Sequence, residues 1–470
     1  MVNRWRAMSV ALVAGFMTLL DVSIVNVALP SIRAELHLGS GELQWVLSGY
    51  ALTFGLLLVP AGRFGDARGR RNAFIAGLVV FTLASAAAGL ATGPLWLVAA
   101  RLVQGAAAGV VNPQVSGLIQ QLFAPPDRGR PFGLLGATIG VSTAVGPLLG
   151  GLLIQAFGAA QGWRWIFYIN VPIGAVAIAL AARWLPGRPE ERRERESLDP
   201  FGVVLLGVGV LLLLLPLVQE RQWPGAGKWL LAVAAAVVLA GFVAWEWRFA
   251  RHGTSLVDLS LFKVRSYGLG TLVGLCYFGG FTSIFFTYTL LLQSGLQYSA
   301  LQAGLAITPF ALGSAAASAL GGRTVVRYGR PLVASGLVLV AVGLAATLVA
   351  LDLVPGRGAG LAAALPLLVA GIGSGLVISP NQTLTLAEVP VRRAGSAGAV
   401  LQTAQRIGTA IGIAAVGSVF FSRLAGTGGD WESAFRASLY VTIGFVLVAL
   451  VAALVDVGSG LRRQREQVAD

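Results

Sequence analysis

Apolar residues do not alternate with polar ones along this chain; they run together. Fourteen stretches are almost free of charge, near 8–30, 44–64, 74–92, 95–122, 131–157, 165–185, 200–218, 229–249, 266–292, 300–322, 329–352, 359–387, 394–422 and 434–457. A helix rises 1.5 Å per residue, so about twenty apolar residues match the ~30 Å hydrocarbon core of a bilayer. The pattern predicts fourteen transmembrane helices and an all-α polytopic membrane protein.

Composition agrees: of the 470 residues 56% are hydrophobic and 11% charged, with a mean hydropathy of +0.78. The net charge of +14 does not point to nucleic acid, because most of the 34 lysines and arginines fall in loops on the side that would hold both termini. That asymmetry is the positive-inside signal, so both termini are expected in the cytoplasm, with anionic lipid headgroups as the basic surface's partner. Arg4 and Arg6 before an apolar stretch resemble a secretory signal. The run is too long and contains Asp21, so it reads as an uncleaved first helix.

Site chemistry of other classes is missing from the sequence. The lone cysteine, Cys276, reads as a packing residue, and His37 and His252 fall in loops on opposite sides, which excludes a shared metal site. The two lysines, Lys228 and Lys263, follow no P-loop pattern, and neither HExxH nor GxSxG occurs. The reading is a transporter rather than an enzyme, with no cofactor, driven by an ion gradient. One proton crossing the membrane carries about 2.3 kcal/mol per 100 mV.

A parallel repeat organises the chain. Gly62, Arg63, Gly69 and Arg70 in GRFGDARGRR recur as Gly322, Arg323, Gly329 and Arg330 in GRTVVRYGRP, while Asp66 is matched by Val326. GAAAGVVNPQ at 105–114 is echoed by GIGSGLVISPNQ at 371–382. Two pseudo-symmetric six-helix bundles are therefore expected, at 1–185 and 266–470, with a linker, two extra helices and a loop at 186–265 between them. The extra helices are expected outside both bundles. Mixed charge from Arg183 to Asp199 reads as a solvated linker, and 250–265 as an interfacial stretch.

Charges inside apolar segments single out candidate chemistry. Asp21 lies nine residues before Pro30 and Arg101 six after Leu95, which places them at roughly 13 and 9 Å below the outer surface, close enough to meet. Each costs about 2.5–3.5 kcal/mol to insert, so their retention points to a use. The structural alternative is that Arg101 snorkels to the interface while Asp21 caps a kink. Arg406 is a second buried arginine, with no obvious acid at its depth but Asp21.

These motifs form an ordered set: LDVSIVNVALP, GRFGDARGRR, RLVQG, GVSTAVGPLLGG at 140–151, WRWIFYINVPIG at 163–174 and LQSGLQYSALQAGLAITP at 292–309. Together they resemble the fourteen-helix drug:proton antiporters of the major facilitator superfamily, over nearly the whole chain. The resemblance implies a proton-coupled exporter of amphipathic drugs or antibiotics by alternating access, in the cytoplasmic membrane of a bacterium. A lipid exporter, an importer of the same superfamily and a non-transporting membrane sensor are the competing readings. A monomer is the expected state.

Residue roles follow from both sources. Asp21 and Arg101 are the expected proton carrier and counter-ion. Gly62, Asp66, Gly69 and Arg70 match the cytoplasmic gate motif, and the resemblance implies that Asp66 lies near residues 394–396. Gly140, Gly146, Pro147, Gly150 and Gly151 form a bendable, close-packing helix face, which in the resembled family marks exporters. The expected cavity wall comprises Asn26, Gln104, Tyr277, Phe281, Phe285, Asn381, Gln405 and Arg406, because aromatic and amide side chains give adaptable contacts to amphipathic ligands.

Overall fold

The computed structural model describes residues 3–187, 199–218, 223, 225–249 and 256–469. Most of the charged linker and the residues around His252 lie outside the described residues. Among the described residues there is no strand, and fourteen spans are long and apolar enough to cross a membrane. They are α1 Arg4–Leu36, α2 Glu42–Arg68, α3 Arg70–Gly89, α4 Pro94–Leu122, α5 Pro125–Phe157, α6 Ala160–Trp184 and α7 Pro200–Leu217. Then follow α8 Trp229–Phe249, α9 Arg265–Gly295, α10 Leu301–Tyr328, α11 Arg330–Leu353, α12 Gly356–Thr385, α13 Val391–Gly426 and α14 Trp431–Gly458. Leu83, Leu95, Val237, Val342 and Leu361 are more than half exposed. So much exposed aliphatic surface fits a lipid solvent and not water.

Several helices outrun their sequence boundaries. α1 continues through Pro30 to Leu36, since an internal proline removes one hydrogen bond without ending a helix held by its neighbours. α6 is interrupted at Ile169, between the helical pieces Ala159–Tyr168 and Asn170–Trp184. Pro172 has no N–H for the Tyr168 carbonyl, and the step brings Asn170 inward, where it is 1% exposed.

The chain forms two compact units. One comprises Met1–Ala124, Val145–Ser260 and Val389–Thr403; the other Pro125–Ala144, Leu261–Glu388 and Ala404–Asp470. Each has its own core. In the first, Ile24, Val25, Ala28, Val46, Trp163 and Phe167 cluster from α1, α2 and α6; in the second, Tyr277, Phe281, Phe310, Leu337, Leu367 and Val446 do so from α9, α10, α11, α12 and α14.

The helix α5 contributes to both units, and its glycines show why. In the second unit Gly129, Gly133, Gly136 and Gly140 lie against the α10 backbone around Ala315, Ser318 and Gly322; a Cβ on Gly140 would stand 2.9 Å from the Ala315 nitrogen. In the first unit Gly150 packs on Ile24 of α1, where a Cβ would stand 3.1 Å from its Cγ1. Small residues at three- and four-residue spacing let helix backbones approach where no aqueous hydrophobic effect drives them together.

The two extra helices form a hairpin. Leu214 of α7 reaches Gly55 of α2, while only 17% of the apolar stretch of α8 is buried inside the protein, against 61% of that of α1. Asp199, expected in the solvated linker, is instead buried as the residue capping α7, its carboxylate accepting from the Gly202 N–H at 3.0 Å.

Candidate functional site

Asp21 lies mid-helix in α1 and is completely buried, at 0% exposure; Arg101 of α4 is 1% exposed. Two charges at such depth are tolerable only if they pair and if every remaining polar atom finds a partner. The Arg101 Nη1 donates to Asp21 Oδ2 at 2.5 Å and to Gln104 Oε1 at 2.7 Å, and its Nε donates to the Val46 carbonyl at 3.0 Å. Asp21 Oδ1 accepts from Gln104 Nε2 at 2.8 Å and from Asn170 Nδ2 at 3.0 Å. Ser85 of α3 accepts from the same two amides, at 2.7 and 3.4 Å.

Five helices thus converge on one carboxylate. Gln104 lies one turn after Arg101 on α4, so both reach the same side, and its amide orientation is set by the guanidinium that its oxygen accepts from. The Tyr50 ring of α2 sits 4.3 Å from Arg101 Cζ, and its hydroxyl donates to the Thr18 carbonyl at 3.1 Å. That ring face adds cation–π attraction in a site shielded from water.

A second cluster lies at the α2–α3 turn. Asp66 has no exposed side-chain surface. Its oxygens accept from the main-chain N–H groups of Gly395 and Ser396 at 3.0 and 2.8 Å, the first turn of the helix Ala394–Gly426 within α13. A helix N-terminus presents unpaired N–H groups and a positive dipole end, which suits a carboxylate. Arg70 donates to Asp66 Oδ1 through Nε at 3.1 Å and Nη2 at 2.8 Å, and also to the carbonyls of Gly117 and Val391. Gly62 permits the approach: a Cβ there would stand 2.7 Å from the Gly395 carbonyl oxygen. Gly69 makes the turn itself, at φ 110°.

The repeat-related arginine finds a different acid. Arg330 Nε is 2.7 Å from Asp456 of α14, its Nη1 donates to Asn381 at 3.0 Å, and its Nη2 donates to the Ser266 carbonyl at 2.6 Å. The acid absent at Val326 is supplied from another helix.

Residues 11–413 match the family model for the Major Facilitator Superfamily. The chain belongs to that superfamily. Among relatives of this transporter, a probable actinorhodin transporter of Streptomyces coelicolor is 38% identical over 436 residues, 90% of this chain and 73% of that protein. The cephamycin export protein CmcT of Amycolatopsis lactamdurans is 34% identical over 466 residues, 97% and 93% of the two chains. The human organic anion transporter MFSD10 (TETRAN) superposes with a TM-score of 0.69 over 96% of this chain and 100% of its own, at 16% identity, a likeness of fold alone.

The remaining candidates distribute unevenly in this superfamily member. Gln104 is buried in the Asp21 network and Asn381 in the Arg330 cluster. Tyr277 and Phe281 lie in the core of the second unit, with Phe285 stacked edge-on to Phe281 and Phe310 at 5.1 Å. Asn26 is exposed, and Phe285, Gln405 and Arg406 are half-buried. Gly146 packs on Ser23 and Pro147 lies within an unbroken helix, whereas Gly151 has open space where a Cβ would stand. Among the described residues no three His, Cys, Asp or Glu side chains gather as a metal site.

Asn170, Ser85 and Asp456 carry no individual signal in an unaligned sequence. An amide two residues before a proline inside an apolar run was the available hint for Asn170.

Proposed function

We propose that this transporter is a proton-coupled exporter of amphipathic, drug-like or antibiotic small molecules, working by alternating access in a bacterial cytoplasmic membrane with both termini inside. The observation that carries the proton reading is the donor set around Asp21. Among the described residues every group bonded to this carboxylate is an N–H donor, from Arg101, Gln104 and Asn170. A proton arriving on Asp21 has no acceptor there, so taking it up requires the network to open. Protonation and opening of this network between α1, α4 and α6 are then one event, which is what coupling demands.

The second element is a gate. Asp66 bonded to the first turn of α13 holds the α2–α3 turn and that helix start together on the expected cytoplasmic side. Arg70 holds the Asp66 carboxylate in place through two hydrogen bonds. The direction of transport is supported by the relatives, one a cephamycin export protein and one a probable actinorhodin transporter. Within the second unit Phe285, Gln405 and Arg406 remain accessible for a substrate of mixed polarity.

Reconstituted protein tests this reading. With an imposed proton gradient the wild type is expected to drive a fluorescent amphipathic dye uphill, and Asp21→Asn to bind the dye with unchanged affinity while moving it only downhill. Uphill movement by Asp21→Asn would place the proton on another residue and end this account.

A further inference from the structure

The end of the α7–α8 hairpin where α7 begins and α8 finishes holds two buried acids, Asp199 and Glu246. Asp199 is 1% exposed and Glu246 0%. Asp199 Oδ1 accepts from the Gly202 N–H, and Asp199 Oδ2 accepts from Trp245 Nε1 at 2.8 Å. Glu246 Oε2 accepts from the Val257 N–H at 3.2 Å. The other oxygen, Glu246 Oε1, is buried with no donor, and both carboxyls face the same point above Gly202. Asp199 Oδ2 and Glu246 Oε1 both lie within 2.8 Å of the position a Gly202 Cβ would take, so the carboxyls are neighbours. Two carboxylates have only lone pairs to offer, so one proton on the pair relieves both the missing donor and the repulsion.

Among the described residues no lysine, arginine or histidine bonds either carboxyl. On the adjoining segment Asp258 is itself paired with Arg393. The donors to the pair are the main-chain N–H groups of Gly202 and Val257 and the Trp245 indole. They stabilise one negative charge far better than two.

This site is continuous with the gate cluster. Glu246 holds Val257; the next residue, Asp258, pairs with Arg393; and Arg393 immediately precedes the helix turn whose Gly395 and Ser396 N–H groups bind Asp66. We propose that Asp199 and Glu246 form a proton-binding site that clamps residues 256–258 to the hairpin and thereby braces the start of α13 against Asp66. Losing the shared proton leaves two anions in contact, which releases Glu246 from the segment and loosens the brace. The two extra helices then act as a proton-sensitive support for the gate. The consequence for gating rests on the gate reading of Asp66; the proton site does not.

Infrared spectroscopy of the purified full-length protein in lipid reads the proton directly. The wild type is expected to show a protonated-carboxyl C=O stretch that titrates as one proton, absent from both Asp199→Asn and Glu246→Gln. Persistence of that band in both variants would overturn the site. The brace is read separately, without transport, by maleimide labelling of Leu256→Cys in a Cys276→Ala background. Labelling should quicken about tenfold as the band is lost, the scale of one charge-assisted hydrogen bond, stay slow at every pH in Glu246→Gln, and stay fast in Glu246→Ala. Labelling independent of pH, or slowed by magnesium ions rather than by protons, would refute the proposal.

Discussion

Asp21 and Asp66 are both carboxylates buried beside an arginine in the same unit, yet their other donors differ in kind. Asp21 is bonded by side chains from α4 and α6, which can rotate away without moving a backbone. Asp66 is bonded by two main-chain N–H groups at a helix start, which leave only if the helix itself leaves. On the proposed reading the first arrangement responds to a proton and the second to the arrival of a helix, so that one fold would use the same kind of ion pair for two purposes by changing the partners around it.

The largest effect should come from breaking the first pair unevenly. Arg101→Met leaves a buried carboxylate with amide donors alone, and is expected to cost about 3–5 kcal/mol of stability. Pairing it with Asp21→Asn should recover most of that loss. Unfolding in detergent, followed by tryptophan fluorescence, measures both; a double variant no better than the single would mean that Arg101 acts mainly by packing.

Asp66→Asn sharpens the other side. The amide still presents one oxygen to α13 but loses its charge, so export should slow about tenfold, in line with a charge-assisted hydrogen bond, while dye binding is kept. An unchanged transport rate would remove the gate from the account.

Smaller effects are expected where a redundant donor remains. Asn170→Ala strips one N–H from Asp21 Oδ1 while Gln104 still donates, so a loss of about 1 kcal/mol is expected in the same unfolding assay. The smallest belongs to Asp456→Asn. Arg330 keeps Asn381 and the Ser266 carbonyl, and the amide oxygen that replaces the carboxylate still accepts from it, so a change below about 1 kcal/mol is expected. A collapse of export in this variant would show that the second half of the repeat gates as well.

Legibility followed the strength of each residue's own signal. Asp21 and Arg101 stood out because a charge is costly in an apolar run, and their depths could be compared by counting residues. Gln104, one turn from Arg101, was visible but assigned to a cavity wall, since an amide carries no indication of which way it faces. Asp199 looked like the end of a charged linker, and only its cap geometry and the return of α8 reveal that it is buried against Glu246.

Length and hydropathy were enough to establish fourteen helices and the all-α membrane class, because a bilayer penalises polar backbone and side chains segment by segment. Partnership between segments came only from the fold. Which acid answers Arg330, which glycines of α5 meet α10 and which meet α1, and which N–H groups surround Asp21 all depend on rotation and register of helices far apart in the chain. No local pattern encodes those, since in lipid the helices are sorted by the close fit and hydrogen bonding of their faces and not by apolarity alone.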